Sequence, residues 1–347
     1  MRIIQQSFAI ARATVVESIQ QPVAFLIFAS GVLSTLLVPI FQFHRFSEEG
    51  RLARDSGFST LMVFGLALAV TTAGRAVAVE IMRGTAAAII GKPVGRGLFV
   101  FSKWLGVGGV IVLFWLGMTA ATLLAERGSA HLVVSELCTH AQHGADDPCE
   151  TTGYVMDSVT LALGICGVLV ALLFSAFQQV AKRRRFGVSA FVGIAISQLT
   201  VVALCGLYDR MGHLRVVLKN VPMYVGDLDW RILSVSVLVL FALLIFAALA
   251  TALATRLQTG AVLAVCVLVL LIGLAGDLFA GNASLFSVQG LLSGILPDIQ
   301  HFWMCDALAQ GGQLSWHYVS EAGLYALGCC TLFITAGYLS FANRDLG

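Results

Sequence analysis

Charged side chains are scarce in this chain, and their scarcity decides the fold class. Only 12% of the 347 residues are Asp, Glu, Lys or Arg, whereas 58% are hydrophobic. A soluble domain carries about a quarter charged residues, so roughly half of the expected charge is missing. Long apolar runs account for this deficit, and each must form a helix because lipid offers the backbone no hydrogen-bond partner. The sequence therefore predicts an all-α, polytopic transmembrane helix bundle.

Ionisable residues are also missing from the middle of every apolar run. Those near the ends, such as Arg75, Asp157 and Arg231, are interpreted as snorkelling or interfacial anchors. An intramembrane hydrolase or a proton-coupled carrier needs buried polar groups at that depth, so the pattern argues against both. Nucleic-acid binding has no support, because the one basic run, Lys182–Arg185, flanks an apolar run.

A phosphate-binding loop is absent as well. Six residues separate Gly84 from Gly91-Lys92, whereas a Walker A loop needs four, and Pro93 stands where the hydroxyl residue should be. We therefore expect neither catalytic residues nor a cofactor in this chain.

Eight apolar runs exceed the roughly 20 residues that a bilayer requires. They lie at 22–43, 57–79, 104–125, 158–181, 186–207, 231–254, 260–280 and 321–342. Nothing indicates a second domain, so we predict a single transmembrane domain over 1–347. Glycines within the runs, such as Gly106, Gly164 and Gly273, are expected to allow close contact between helices.

The segment before the first run, residues 3–20, mixes apolar and polar positions. Apolar residues recur at helical spacing, at Ile4, Phe8, Ala11, Val15 and Ile19. This pattern predicts an amphipathic helix in the membrane interface. It is unlike a cleavable signal peptide, in which an apolar stretch follows the first basic residue directly.

The basic residues predict the orientation in the membrane. With the N-terminus in the cytoplasm, the inner side receives thirteen of the 21 basic residues and only three of the 19 acidic ones. Cytoplasmic loops are enriched in Lys and Arg, so this orientation is favoured. Eight spans then return the C-terminus to the cytoplasm.

The outer loops include two long segments, 126–157 and 281–320. The second is apolar, and we interpret it as a re-entrant or interfacial helix pair. The first contains Cys138, His140, His143 and Cys149. An oxidising exterior favours a Cys138–Cys149 disulfide, while unpaired loop residues and a zinc or copper site remain alternatives.

The one substantial inner segment is 80–103. We interpret it as a short helix with an apolar patch rimmed by charge, which suits docking of a cytoplasmic partner. An ordinary interfacial loop with basic anchors is the alternative. The candidate docking residues are Glu80, Arg83, Gly84, Thr85, Ile89, Ile90, Lys92, Pro93 and Arg96.

This segment resembles the coupling-helix region of ABC-2 type exporter permeases. The matching positions, in order, are Glu80, Gly84, Thr85, Pro93, Arg96 and Lys103. The amphipathic segment ending at Pro22 resembles the elbow helix of that family, and Arg344-Asp345-Leu346 resembles its C-terminal tail. The family core has six spans, so the two additional runs are a departure from its pattern.

The resemblance implies a membrane subunit of an exporter in a bacterial inner membrane. A separate cytoplasmic ATPase, with its own ATP and Mg, would dock on 80–103, and a second permease copy would complete a homo- or heterodimer. The sequence leaves two alternatives open. One is a non-transporting anchor or mechanical transmitter for an extracytoplasmic machine. The other is a metal-binding membrane protein that uses the outer His and Cys residues.

Overall fold

The protein is a multi-pass helical membrane bundle. The computed structural model describes residues 2–41, 50–82, 95–135, 151–183, 185–208, 228–275, 297–309, 312 and 314–342. Within these residues, seven helices are long and apolar enough to cross a membrane. The prediction of a polytopic helix bundle is confirmed at this level.

The described helices follow the predicted order. They are α1 (Arg2–Ile19), α2 (Pro22–Phe41), α3 (Arg51–Ala73, continued by a π-helical segment Gly74–Val79 and a last turn Glu80–Met82), α4 (Arg96–Gly128), α5 (Ser158–Lys182), α6 (Phe186–Leu204), α7 (Arg231–Leu253), α8 (Thr259–Leu274), α9 (Cys305–Ala309) and α10 (Trp316–Ala342). Short 3-10 turns lie at Cys205–Leu207 and Gln300–Phe302.

Helix α4 is the centre of the bundle. It contacts α1, α2, α3, α5, α6, α7 and α10. Helices α3, α4 and α7 are the most buried spans, whereas α5 and α10 turn most of their surface outward. The outward surface is apolar, as with Leu173 and Leu324, which are each about 70% exposed and suited to lipid.

Small residues let the helices approach α4 and each other closely, as expected from the sequence. A Cβ added at Gly164 would lie 3.0 Å from the Leu36 side chain, and one at Gly273 would lie 2.7 Å from Ile299. Phe28 fills the space above Gly117 and packs against Phe114 and Phe191, with ring centroids 5.4 and 4.7 Å away. Close packing replaces the hydrophobic effect as the source of helix association in lipid.

The predicted N-terminal helix is present as α1, and its placement in a membrane interface stays a prediction. Its small polar residues Ser7, Thr14 and Ser18 are buried. Ile4 and Phe8 are 74% and 70% exposed. Because α1 packs closely on a glycine of α4, short side chains fit inward there, together with Ile19 at the end of the helix, while Ile4 and Phe8 remain exposed.

Three spans begin earlier than their apolar runs. Helix α3 begins at Arg51, α4 at Arg96 and α10 at Trp316. The first turns of these helices contain charged or aromatic residues, so they were not counted in the apolar runs. Such residues can nevertheless be helical at the membrane surface. The first residues of the predicted segment 80–103 therefore belong to the end of α3, and its last residues belong to the start of α4. The last residues of the predicted loop 281–320 likewise belong to α10, which begins at Trp316.

Helix α8 covers only part of the predicted span 260–280, the seventh along the chain. Its 16 residues, Thr259–Leu274, are fewer than the other spans have. Residues 276–280 lie outside the described part of the chain, so a membrane crossing by the run 260–280 stays a prediction.

The loop 126–157 contains a feature that the all-α prediction missed. Strands β1 (Ala130–Ser135) and β2 (Thr151–Met156) pair antiparallel, from Ala130 opposite Met156 to Ser135 opposite Thr151. Both strands contain β-branched residues, which favour extended structure. The hairpin extends directly from α4 into α5.

The described part of the loop 281–320 is short and packed on the bundle. Ile299, Phe302, Cys305 and Leu308 are buried, on a 3-10 turn and α9. Residues 281–296 lie outside the described residues, so the predicted re-entrant pair is not tested there.

We expect Gly106→Val to destabilise the protein by about 1–3 kcal/mol, the usual cost of overpacking. Its Cβ would lie 2.6 Å from the Thr14 Cβ and 2.9 Å from the Ala11 carbonyl oxygen, which forces α1 away from α4. Denaturant unfolding of the purified protein in detergent measures the change. Gly328→Val is the matched control because nothing lies within 4 Å of its added Cβ; equal losses in both variants would contradict the close contact.

Candidate functional site

A buried ion pair joins α3 to α4 at the predicted inner end of the bundle. The Lys103 Nζ lies 2.5 Å from the Glu80 Oε1, and the two side chains are 4% and 15% exposed. The Nζ also lies 5.5 Å from the centroid of the Phe99 ring. Because each charge would be costly to bury alone, the pair fixes the last turn of α3 against the second turn of α4.

Residue Glu80 comes directly after the π-helical segment Gly74–Val79. Such segments are rare, and they occur frequently at functional sites in helices. Gly74 allows the Thr259 side chain at the start of α8 to pack against this segment. The irregularity therefore lies where α3, α8 and the Glu80–Lys103 pair meet.

Arg96 connects the start of α4 to the end of α10. Its Nη1 donates to the Ala342 carbonyl oxygen at 2.5 Å. The Phe99 and Phe341 rings stack beside it, with centroids 5.6 Å apart. A cation that binds the last carbonyls of a helix stabilises its C-terminus, so Arg96 has a structural role in addition to any contact with a partner.

The structure describes two of the nine predicted docking residues, Glu80 and Arg96. It places them on neighbouring helix ends, each with an intramolecular partner. The other seven lie outside the described residues, namely Arg83, Gly84, Thr85, Ile89, Ile90, Lys92 and Pro93. The docking surface they were predicted to form is untested.

A second buried ion pair closes the opposite end of α4. The Arg127 Nε lies 3.1 Å from the Asp157 Oδ2, with side chains 1% and 0% exposed. The guanidinium also donates to the carbonyl oxygens of Cys205 and Tyr208, at 2.7 and 2.9 Å. Asp157 accepts from the backbone nitrogen of Thr160 at 2.9 Å and thereby caps α5.

Asp157 was interpreted from the sequence as an interfacial anchor, and the structure adds that its side chain is buried and paired with Arg127. Its partner Arg127 is 30 residues earlier in the chain, so no local pattern connects the two. The Tyr208 ring lies 4.9 Å from the Arg127 guanidinium carbon. Burial raises the pKa of Tyr208 to about 12, so its hydroxyl stays protonated beside Thr160 and Cys205.

A third ionic cluster joins the starts of α3 and α7. Asp229 accepts from Arg54 at 2.9 Å and from the Arg231 Nε at 2.8 Å. Burial acts to raise the pKa of Asp229, but its hydrogen bonds with Arg231 and the positive charge of Arg54 outweigh burial and lower it. This carboxylate therefore stays ionised at neutral pH.

A polar groove opens at the start of α10. Its volume is about 400 Å³, and its lining includes Asp298, His301, Tyr318, Glu321 and Tyr325. The His301 Nδ1 lies 2.9 Å from the Asp298 Oδ2, and the Tyr318 hydroxyl donates to the His301 carbonyl. An apolar groove of about 320 Å³ lies further along α10, against Trp104 and Phe241.

Among the residues that the structure describes, no group of three or more His, Cys, Asp and Glu side chains could hold a metal ion. Cys138, His140, His143 and Cys149 lie outside that part of the chain, so the disulfide and metal alternatives both stay open. Ser135 and Thr151, the residues that bound this stretch, face each other in the hairpin.

Comparison with known proteins adds no relative: no family model, curated protein or solved structure matches the chain.

We expect Arg127→Met to cost about 3–5 kcal/mol of stability, because it leaves the buried Asp157 carboxylate without its counter-ion. Denaturant unfolding in detergent measures the loss. The double variant Arg127→Met/Asp157→Asn removes both charges and keeps an acceptor for the Thr160 backbone nitrogen. It should therefore recover part of the stability that Arg127→Met loses. Arg51→Met, in an ion pair whose side chains are 38% exposed, is the control and should cost about 1 kcal/mol or less.

Asp229 should make stability depend on pH in the acidic range. Its pKa is lowered from the ordinary 3.8 in the folded protein, so its ionised form contributes stability above that value and loses it as pH falls through the folded pKa. The difference in the free energy of unfolding between the wild type and Asp229→Asn should therefore shrink as the pH falls below about 4. A difference that stays constant down to pH 2.5 would contradict this.

Proposed function

We propose that the chain is the membrane-spanning subunit of an exporter of the ABC-2 type, driven by a separate cytoplasmic ATPase that docks on the segment 80–103. The observation that carries the proposal is the buried Glu80–Lys103 pair. It joins the two helices that flank the predicted docking segment, at the positions where the sequence resembles the coupling region of that family. The inner membrane of a bacterium and cytoplasmic termini belong to the same proposal.

The ion pair supports a coupling role because it transmits displacement. A force applied to residues 83–95 reaches α3 through Glu80 and α4 through Lys103, and the short salt bridge makes both helices move together. Arg96 extends the connection to the end of α10. Besides α3, helix α4 contacts six other described helices. A displacement of α4 would therefore act on most of the bundle.

The interior favours an apolar or amphipathic cargo over a small polar one. Several buried hydroxyls along the described spans donate back to their own helices, as Thr72 does to Leu68, Thr122 to Met118 and Thr251 to Ala247, whereas the buried Thr119 hydroxyl has no partner. Groups satisfied in this way offer little to a polar solute. A lipid-like molecule could instead travel along the outer surface of the bundle, where apolar grooves are open.

The same closely packed interior supports a second candidate, a non-transporting transmitter for an extracytoplasmic machine. Such a protein needs a rigid path between the two sides and no pore. The buried pairs at both ends of α4 and the hairpin that extends from it provide this path. Stimulation of the partner ATPase by an added apolar substrate would favour transport over this alternative.

The docking prediction is tested by purifying the tagged chain in mild detergent from its host and identifying the proteins that accompany it. We expect a stoichiometric ATPase with the wild type and its loss with Arg83→Glu/Lys92→Glu. Arg96 is left unchanged because its reversal would also release the end of α10. Charge reversal removes electrostatic complementarity and adds repulsion at the same surface.

Lys182→Glu is the matched control, since it reverses one inner charge outside the docking segment. It should retain the ATPase. A chain that arrives without any nucleotide-hydrolysing partner, or a double variant that retains one at wild-type stoichiometry, would overturn the proposal.

A further inference from the structure

A cleft lies between α1 and the start of α6. Its volume is about 610 Å³, and its lining combines two guanidinium groups, of Arg12 and Arg185, with the apolar side chains of Ala9, Ala13 and Val16. Arg12 and Arg185 are both exposed. The cleft therefore has a basic part and an adjoining apolar part.

The backbone around the cleft is fixed by packing. Gly187 lies so close to the α1–α2 turn that an added Cβ would be 2.7 Å from the Gln20 carbonyl oxygen. The Phe186 ring packs edge-on against Phe25, with centroids 5.0 Å apart. These contacts position the start of α6, and Arg185, which directly precedes it, lines the cleft.

The charges of the cleft favour an anion. Two arginines face one carboxylate, that of Glu17. Lys182 and Arg183, exposed at the end of α5, add positive charge nearby. A phosphate diester matches a pair of guanidinium groups, which bind its oxygens through charge-assisted hydrogen bonds.

The position of the cleft favours a lipid as the source of that phosphate. Ile4 and Phe8 on α1 are largely exposed and apolar, as expected of a helix lying in the membrane interface. The apolar lining runs along the same helix, where an acyl chain would lie. Basic pockets between membrane helices on the cytoplasmic side bind the headgroups of anionic lipids.

We propose that this cleft binds an anionic phospholipid of the inner leaflet, with its phosphate between Arg12 and Arg185 and an acyl chain along Ala9, Ala13 and Val16. The bound lipid would cover the outer side of α1 and hold it at the membrane surface.

The test is native mass spectrometry of the purified full chain after incubation with an equimolar mixture of phosphatidylglycerol and phosphatidylcholine. The wild type should retain phosphatidylglycerol selectively. Each basic group near a membrane surface contributes about fivefold in affinity, so Arg12→Gln/Arg185→Gln should bind it about thirtyfold more weakly. Arg75→Gln, which removes an exposed arginine elsewhere, is the control and should bind like the wild type.

Two further variants distinguish a loss of the lipid site from a loss of the fold. Arg12→Lys/Arg185→Lys should preserve most of the selectivity, and Glu17→Gln should increase retention by removing the competing carboxylate. Equal retention by the wild type and the double Gln variant, or equal retention of the two lipids, would overturn the proposal. Displacement by inorganic phosphate at millimolar concentration would show that the cleft takes a free phosphate and would overturn the lipid assignment.

Discussion

Burial of a positive charge at each end of α4 is the constraint on which the rest of the bundle depends. Lys103 and Arg127 are almost completely covered by protein, and each has one carboxylate partner from another helix. Between them α4 rises by about 36 Å, slightly more than the hydrocarbon thickness of a bilayer. Two pairs at this separation match the two surfaces of a bilayer, where an unpaired buried charge would still be costly.

This arrangement explains which helices are central. A helix fixed at both ends by ion pairs cannot shift along its axis without breaking one of them. The neighbouring helices therefore pack against α4 at a fixed axial position. Glycines on α4 then allow α1 to approach closely, and bulky aromatic residues fill the space around α2 and α6. The outer helices α5 and α10 depend on this centre and present most of their own surface to lipid.

Much of the fold could be predicted because apolar runs and basic flanks report membrane spans directly. The runs at 158–181 and 231–254 agree with α5 and α7 to within a residue. The ion pairs could not be predicted, because Arg127 and Asp157 are separated by a hairpin and each resembles an ordinary interfacial charge. The hairpin was missed because hydropathy does not distinguish strand from loop outside the membrane.

The π-helical segment Gly74–Val79 has a consequence for the direction in which α3 presents its last turn. A π turn contains one residue more than an α turn, and one residue corresponds to about 100° of rotation around the helix. Everything after the segment is therefore turned by roughly that angle relative to an unbroken α-helix. An unbroken α-helix of the same residues would have the same composition and hydropathy, yet it would aim the Glu80 carboxylate at a different neighbour.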